Sequence, residues 1–134
     1  SNNPYFMIQE IPPEVLDEKL IISGIHLDLT DAIKAHVREK ATKLIRHEPR
    51  LDRIRIDIEY HETKSHHGQF TAKGLIEISG PDIIASSNGD DAYASIDKLV
   101  SELDRGLRKR ATERLKNRNH PRAIEIDADL PKVD

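Results

Sequence analysis

Three isoleucines alternate with charged residues near the middle of the chain, and this alternation constrains the fold more than any other pattern. Ile54, Ile56 and Ile58 are separated by Arg55 and Asp57. Successive side chains of a strand point to opposite faces of a sheet, so the pattern predicts a strand with one buried face and one face in water. A sheet built from such strands is covered by helices on one side only.

Apolar residues at helical spacing predict one helix on each side of this strand. The first follows Thr30, a good N-cap residue, and ends before Pro49. The second follows Asp90 or Asp91, either of which suits the cap position. The positions that we expect to be buried are Ile33, Val37, Ala41 and Leu44 on the first helix and Ile96, Leu99, Leu103, Leu107 and Ala111 on the second.

Further strand and turn patterns complete the predicted domain. Strands are expected at residues 20–25, 69–79 and 83–86, with turns at 63–68 and 80–82, and Asn88 and Gly89 are expected to break the chain. The resulting order, β-α-β-β-β-α, predicts an α+β fold in which a four-stranded sheet carries two helices on one face. Residues 20–118 form this domain, residues 1–19 are expected to be a flexible N-terminal extension, and residues 119–134 an acidic C-terminal tail.

Composition excludes several classes of function. The 134 residues contain no cysteine, which removes thiol nucleophiles, disulfides and cysteine-based zinc sites. No apolar run is long enough to cross a bilayer, so we expect a cytoplasmic protein without membrane contact. His61, His66 and His67 lie close in sequence but lack the spacing of a metal motif, and no phosphate loop or nucleophile elbow is present. We therefore expect no metal, no cofactor, no small-molecule substrate and no enzymatic activity.

A dense cluster of bases in the second predicted helix points to a polyanionic ligand. The whole chain has 21 bases and 24 acids, but the second half of this helix has a single acid, Glu113. Such a local excess is typical of nucleic-acid binding. On the first helix, Lys40 and Lys43 share a face with His36 and His47. The bases of the second helix are Arg105, Arg108, Lys109, Arg110, Arg114, Lys116 and Arg118.

Three segments of the chain resemble one protein family. They are residues 21–44, the isoleucine strand ending in IDIEY, and the segment GDDAYASIDKLVSELDRGLRKR. These segments are similar to the family of ribosome hibernation-promoting factors and ribosome-associated inhibitors, also called the sigma-54 modulation or S30AE family. The most specific block is acid-x-Tyr-Ala-x-Ile-Asp at residues 91–97. The resemblance implies a fold similar to double-stranded-RNA-binding domains, in agreement with the order predicted above.

The resemblance also implies a function and a set of contact residues. Members of the family bind rRNA of the small ribosomal subunit near the decoding centre, block the messenger and transfer RNA sites under stress or in stationary phase, and catalyse nothing. We accordingly expect a monomer whose partner is the small subunit and its rRNA. Tyr93 is expected to be either a base contact or a packing residue. The implied rRNA contacts are Lys40, Lys43, Arg105 and Lys109, with Arg108, Arg110, Arg114 and Lys116 in the same basic segment.

Departures from the family pattern leave alternatives open. Glu102 and Glu113 stand where family members often have lysine, and Ala111 replaces another base. The same fold could therefore serve as a protein-interaction module without ribosome binding. The chain resembles the short forms of the family, and its acidic tail favours the form that opposes ribosome pairing over the form that promotes it. That tail could also fold back on the basic helix as an autoinhibitory mimic of RNA.

Overall fold

The computed structural model of the protein describes residues 10–62, 64 and 68–119. The chain divides into two compact units, the first ending at Asp104 and the second beginning at Arg105. The secondary-structure elements of the described part are α1 (Pro13–Lys19), β1 (Leu20–Ile25), α2 (Asp31–His47), β2 (Arg53–Glu62), β3 (Gly68–Glu77), β4 (Ile83–Gly89) and α3 (Ala92–Asn119).

The four strands form one mixed sheet in the order β1-β2-β3-β4. β1 is parallel to β2, and the other two neighbouring pairs are antiparallel. The predicted α+β fold with a four-stranded sheet is confirmed. Ile54, Ile56 and Ile58 are fully buried, as their alternation predicts. Their partners on β3 are Ile76, Gly74 and Ala72, respectively.

Small residues on β3 and β4 allow helix α3 to approach the sheet closely. A Cβ atom built on Gly74 would lie 2.8 Å from Cδ1 of Leu103 and 3.1 Å from Cδ1 of Leu99, so a side chain there would require a shift. Nearby, the hydroxyl of Ser87 on β4 donates a hydrogen bond of 2.6 Å to the carbonyl oxygen of Ser95. Ser95 is itself fully buried. The first turns of α3 are thus fixed against the sheet by packing and by a hydrogen bond.

Helix α2 begins and ends where the sequence predicts. The Thr30 hydroxyl accepts a hydrogen bond of 3.1 Å from the backbone nitrogen of Ile33, which satisfies one of the unpaired donors at the start of the helix. The helix ends at His47, and Glu48 leaves the helical conformation because it precedes Pro49. Its buried residues are Ile33, Val37, Ala41, Leu44 and Ile45.

Within the segment predicted as a flexible extension, residues 13–19 form helix α1, whereas residues 1–9 lie outside the described residues. Pro12 is the N-cap of this helix and Pro13 lies in its first turn, where a missing backbone N–H costs nothing, so the two prolines are compatible with the start of a helix. Leu16 is buried. The Asp17 carboxylate accepts a hydrogen bond of 2.6 Å from Arg38 on α2, and Lys19 Nζ donates to the carbonyl oxygen of Leu51. Helix α1 is therefore attached to the domain.

Strand β4 is longer than predicted, because Asn88 and Gly89 continue it instead of breaking the chain. Gly89 pairs with Phe70 of β3. Next to this pair, the Thr71 hydroxyl donates a hydrogen bond of 2.8 Å to the side-chain oxygen of Asn88. The tight turn predicted before β4 is present, with Gly80 in the left-handed region at a φ of 93°.

The buried stripe predicted on α3 ends one turn earlier than expected. Ile96, Leu99, Leu103 and Leu107 are buried, whereas Ala111 is exposed. The predicted acidic tail lies outside the described residues except for Asn119, the last residue of α3. His66 and His67 also lie outside the described residues.

The close approach at Gly74 predicts that a larger residue there destabilises the domain. We expect Gly74→Val to lower the free energy of unfolding by about 1–3 kcal/mol, because the added methyl groups would overlap Leu99 and Leu103. The matched control is Lys73→Val, an exposed neighbour on the opposite face of β3. Urea denaturation of both variants measures the difference, and equal midpoints would contradict this account of the packing.

Candidate functional site

Two histidine–aspartate pairs connect α2 to the first half of α3. His36 Nε2 lies 2.7 Å from Oδ1 of Asp97, and His47 Nδ1 lies 2.6 Å from Oδ1 of Asp104. In both pairs the histidine belongs to α2 and the aspartate to α3. The pairs are partly exposed, with Asp97 at 50% and His47 at 56% side-chain exposure. The two helices are therefore joined at their surface as well as through the core.

A groove of about 260 Å³ runs between these two helices. Lys40 and Lys43, two of the predicted contact residues, both line it. Lys40 Nζ lies 3.6 Å from Oδ1 of Asp97, so the charge of this lysine is partly balanced within the protein. Lys43 is exposed. The groove thus brings the two predicted lysines together but places acids beside them. Its lining is Lys40, Lys43, Leu44, His47, Asp97, Val100, Ser101 and Asp104.

Four of the predicted bases on the second half of α3 share one face of the helix. The periodicity of 3.6 residues per turn brings Arg105, Lys109 and Lys116 into line, with Arg108 beside them. All four are exposed. We call Arg105, Arg108, Lys109 and Lys116 the cationic face. It offers Lys and Arg side chains in a row along one helix, an arrangement suited to successive phosphates.

Arg110 and Arg114 do not belong to the cationic face. They lie on the opposite side of the same helix, four residues apart, and both are half-buried. With Glu113 and Asn117 they line a separate shallow cleft of about 230 Å³. The eight bases predicted as one contact set therefore occupy more than one surface. Helical periodicity carries this information, because residues 110 and 114 are offset by about half a turn from residues 105, 109 and 116.

Tyr93 lies in the first turn of α3 with its ring beside α2. The ring meets that of His36 edge to face, with centroids 5.1 Å apart and an angle of 80° between the planes. Tyr93 is nevertheless 40% exposed, whereas the neighbouring Ala92 and Ile96 are buried. The side chain thus has one part packed against α2 and another part open to a ligand.

Sequence reasoning missed the two aspartates that face α2. Asp97 and Asp104 are seven residues apart and therefore lie on one side of α3. The matching signal on α2 is the row that contains His36 and His47. Both rows are readable from helical spacing, but the fact that they face each other follows only from the packing of the two helices on the sheet.

Among the described residues there is no group of three or more His, Asp or Glu side chains arranged to hold a metal ion. Nor does any helix within residues 10–62, 64 and 68–119 have the length and apolar character needed to cross a membrane.

Comparison with known proteins identifies the family. The sequence model of the family described as Sigma 54 modulation protein / S30EA ribosomal protein matches residues 20–115. The chain belongs to this family. A ribosome hibernation promoting factor of Azotobacter vinelandii is 31% identical over 104 residues, which cover 78% of this chain and 92% of that protein. The protein of the same name from Escherichia coli K12 is 31% identical over 91 residues, covering 68% and 90%.

Solved structures share the fold of this family member. A ribosomal subunit interface protein from Coxiella burnetii superposes with a TM-score of 0.62 at 19% identity, covering 70% of this chain and 98% of that one. The N-terminal domain of Protein Y from Thermus thermophilus gives a TM-score of 0.53 at 22% identity, covering 66% and 92%. At these identities the similarity establishes the common architecture of sheet and helices.

The start of α3 positions Tyr93 and yields a test of that placement. The Asp91 carboxylate accepts a hydrogen bond of 2.8 Å from the backbone nitrogen of Ala94, so Asp91 is the N-cap. We expect Asp91→Ala to lower the free energy of unfolding by about 1 kcal/mol, since a capping interaction is lost. Asp90→Ala is the matched control, because Asp90 is the adjacent exposed acid. Thermal and urea unfolding should separate the two variants, and an equal effect of both would contradict the assignment of the cap.

Proposed function

We propose that the protein is a ribosome hibernation factor that binds rRNA of the small subunit near the decoding centre. Bound there, it blocks the sites of messenger and transfer RNA under stress or in stationary phase. We further propose that the protein is monomeric and cytoplasmic, and that it acts by binding and not by catalysis. Its support from comparison is the family membership and the similarity to proteins named ribosome hibernation promoting factors.

The observation that carries the proposal is the cationic face of α3. Its four exposed bases lie on a helix of a chain whose total composition is acidic, with 24 acids against 21 bases. Concentrating bases on one helix face produces a local positive potential that the net charge conceals. Two of the four are arginines, whose planar guanidinium groups can bridge phosphate oxygens, which suits the irregular backbone of folded RNA.

The energetic consequence of such a face is a strong dependence on salt. Each phosphate that a base neutralises releases condensed counterions, and the logarithm of the affinity then falls by roughly 0.7–0.9 per logarithmic unit of salt. Four contacts from the cationic face would give a slope of about −3 to −4. Lys43 in the interhelical groove can add to this, while Lys40 first has to exchange its interaction with Asp97 for a phosphate.

Reversing two charges of the cationic face tests the proposal. We expect Arg105→Glu/Lys109→Glu to weaken binding to purified small subunits by roughly 40-fold or more at 0.1 M salt, since two phosphate contacts are lost and repulsion is added. The slope of log affinity against log salt concentration should become less negative by about two, because two phosphate contacts are lost. Co-sedimentation with small subunits across a salt series gives both quantities.

The matched control is Lys64→Glu/Lys73→Glu, which changes the net charge equally at two exposed lysines on β3 and in the turn before it. This variant should bind like the wild type. If the two double variants lose affinity equally, the cationic face has no special role. If the wild type remains in the supernatant even at low salt, the protein is not a ribosome-binding member of its family.

A protein-interaction module is the second candidate, and one surface favours it. Ile84 on β4 is 76% exposed on the open face of the sheet. It lines a shallow groove with Leu75 and Arg55, of about 280 Å³. A protein partner would bury this apolar surface, and its binding would depend little on salt. Under this alternative, Ile84→Asp would abolish binding of the protein partner, whereas Arg105→Glu/Lys109→Glu would not.

A further inference from the structure

Four side chains form a connected cluster where α2 faces the first turns of α3. Tyr93 and Asp97 are one helical turn apart on α3, and His36 and Lys40 are one turn apart on α2. The rings of Tyr93 and His36 are in edge-to-face contact, His36 pairs with Asp97, and Lys40 Nζ lies 3.6 Å from the same Asp97 oxygen. The cluster therefore connects the Tyr93 ring to the Lys40 ammonium group through the His36 imidazole and the Asp97 carboxylate.

The exposure of Tyr93 is unusual for its position. Most large apolar residues near the start of α3 are buried, and within the described ranges Tyr93 is the aromatic residue with an exposed side chain, whereas Tyr60 and Phe70 are half-buried against each other. A tyrosine that served only as packing would gain by burying more of its ring. The contact with His36 restrains the ring, so a ligand that stacks on it pays little conformational entropy.

We propose that Tyr93 is a stacking platform for an unpaired nucleobase, and that Lys40 binds a phosphate next to that base. This inference rests on the proposed function, since it takes folded RNA as the ligand. Unpaired nucleobases of RNA stack on aromatic side chains without regard to sequence. A lysine or arginine side chain nearby then binds the phosphate backbone of the RNA. The cluster supplies both groups within one part of the surface.

His36 and Asp97 are positioning residues in this arrangement. The Asp97 carboxylate accepts a hydrogen bond from His36 Nε2, which fixes the imidazole ring, and the imidazole in turn limits the rotation of the Tyr93 ring. Asp97 also holds Lys40 near the Tyr93 ring until a phosphate replaces Asp97 as the partner of this lysine. The surface pairs are worth little for stability because they are exposed to solvent, so their effect is on orientation.

Stacking and phosphate binding can be separated experimentally by salt. A stacked base releases no counterions, so loss of the platform lowers affinity at every salt concentration and leaves the slope unchanged. We expect Tyr93→Leu to weaken binding to small ribosomal subunits by roughly 5- to 150-fold, the range that follows from the loss of one base–aromatic stack. Tyr93→Phe keeps the ring and should bind like the wild type. Ile25→Ala is the control for the loss of a partly exposed apolar side chain elsewhere, since Ile25 on β1 is 37% exposed.

The positioning role of His36 is tested by a double-mutant cycle. His36→Ala should weaken binding in the wild-type background and have a smaller effect in the Tyr93→Leu background, because its action passes through the ring. Equal effects in both backgrounds would show that His36 acts independently of Tyr93. Chemical probing of the bound rRNA gives a second readout: one unpaired nucleotide protected by the wild type should become reactive with Tyr93→Leu.

The outcomes distinguish this inference from the proposed function. If the wild type binds small subunits and Tyr93→Leu binds equally well, the stacking platform is wrong and the proposed function stands. If the wild type binds no subunits, the proposed function fails, and a titration with single-stranded oligoadenylate followed by NMR decides the platform separately. Ring resonances of Tyr93 that shift on addition of oligoadenylate to the wild type, together with weaker oligoadenylate binding by Tyr93→Leu, would support the stacking platform. Unchanged resonances would overturn it.

Discussion

Helix α3 approaches strand β3 so closely at Gly74 that a Cβ atom there would lie 2.8 Å from a methyl carbon of Leu103. This contact fixes how deep the first half of α3 sits on the sheet, and most of the described surface chemistry follows from it. A bulkier β3 would lift the helix and carry Asp97 and Asp104 away from the histidines of α2. The bulk is instead on β2, whose isoleucines fill the core beside the small residues of β3. The pairing of Ile56 with Gly74 and of Ile58 with Ala72 therefore sets the geometry of the interhelical groove.

The groove and the cationic face have different electrostatic characters. In the groove, Lys40 lies beside Asp97 and His47 beside Asp104, so the positive charge of Lys40 is partly balanced within the protein. A phosphate that binds Lys40 has to replace Asp97 as its partner. On the cationic face, four exposed bases follow one side of a helix, so positive charge is concentrated there. Lys40 is restrained before binding, and its interaction with Asp97 lowers the net gain from any phosphate contact.

The sequence predicted much of the fold, because local patterns determine most of the elements. Thr30 caps α2 as expected, Asp91 is the one of two predicted candidates that caps α3, and the isoleucine alternation is that of a strand with one buried face. Helix α1 was missed because a proline pair resembles an irregular segment although proline is accepted in a first helical turn. The basic residues were predicted as one contact set, although helical spacing alone divides those of α3 between opposite sides of the helix. The pairing of Asp97 with His36 depends on packing between distant segments, which no local pattern contains.

The topology of the sheet has a consequence for the order in which the chain becomes structured. Few residues separate β2 from β3 and β3 from β4 in sequence, so the pairing of these strands closes only small loops. Among the described strands, β1 pairs with β2 alone, and the whole of α2 lies between the two in sequence, with Leu20 opposite Ile54. During synthesis from the N-terminus, β1 emerges long before its partner and has nothing to pair with. The edge formed by β1 is therefore the part of the sheet that depends on the rest being made first, and we expect it to be the last strand to join and the first to separate.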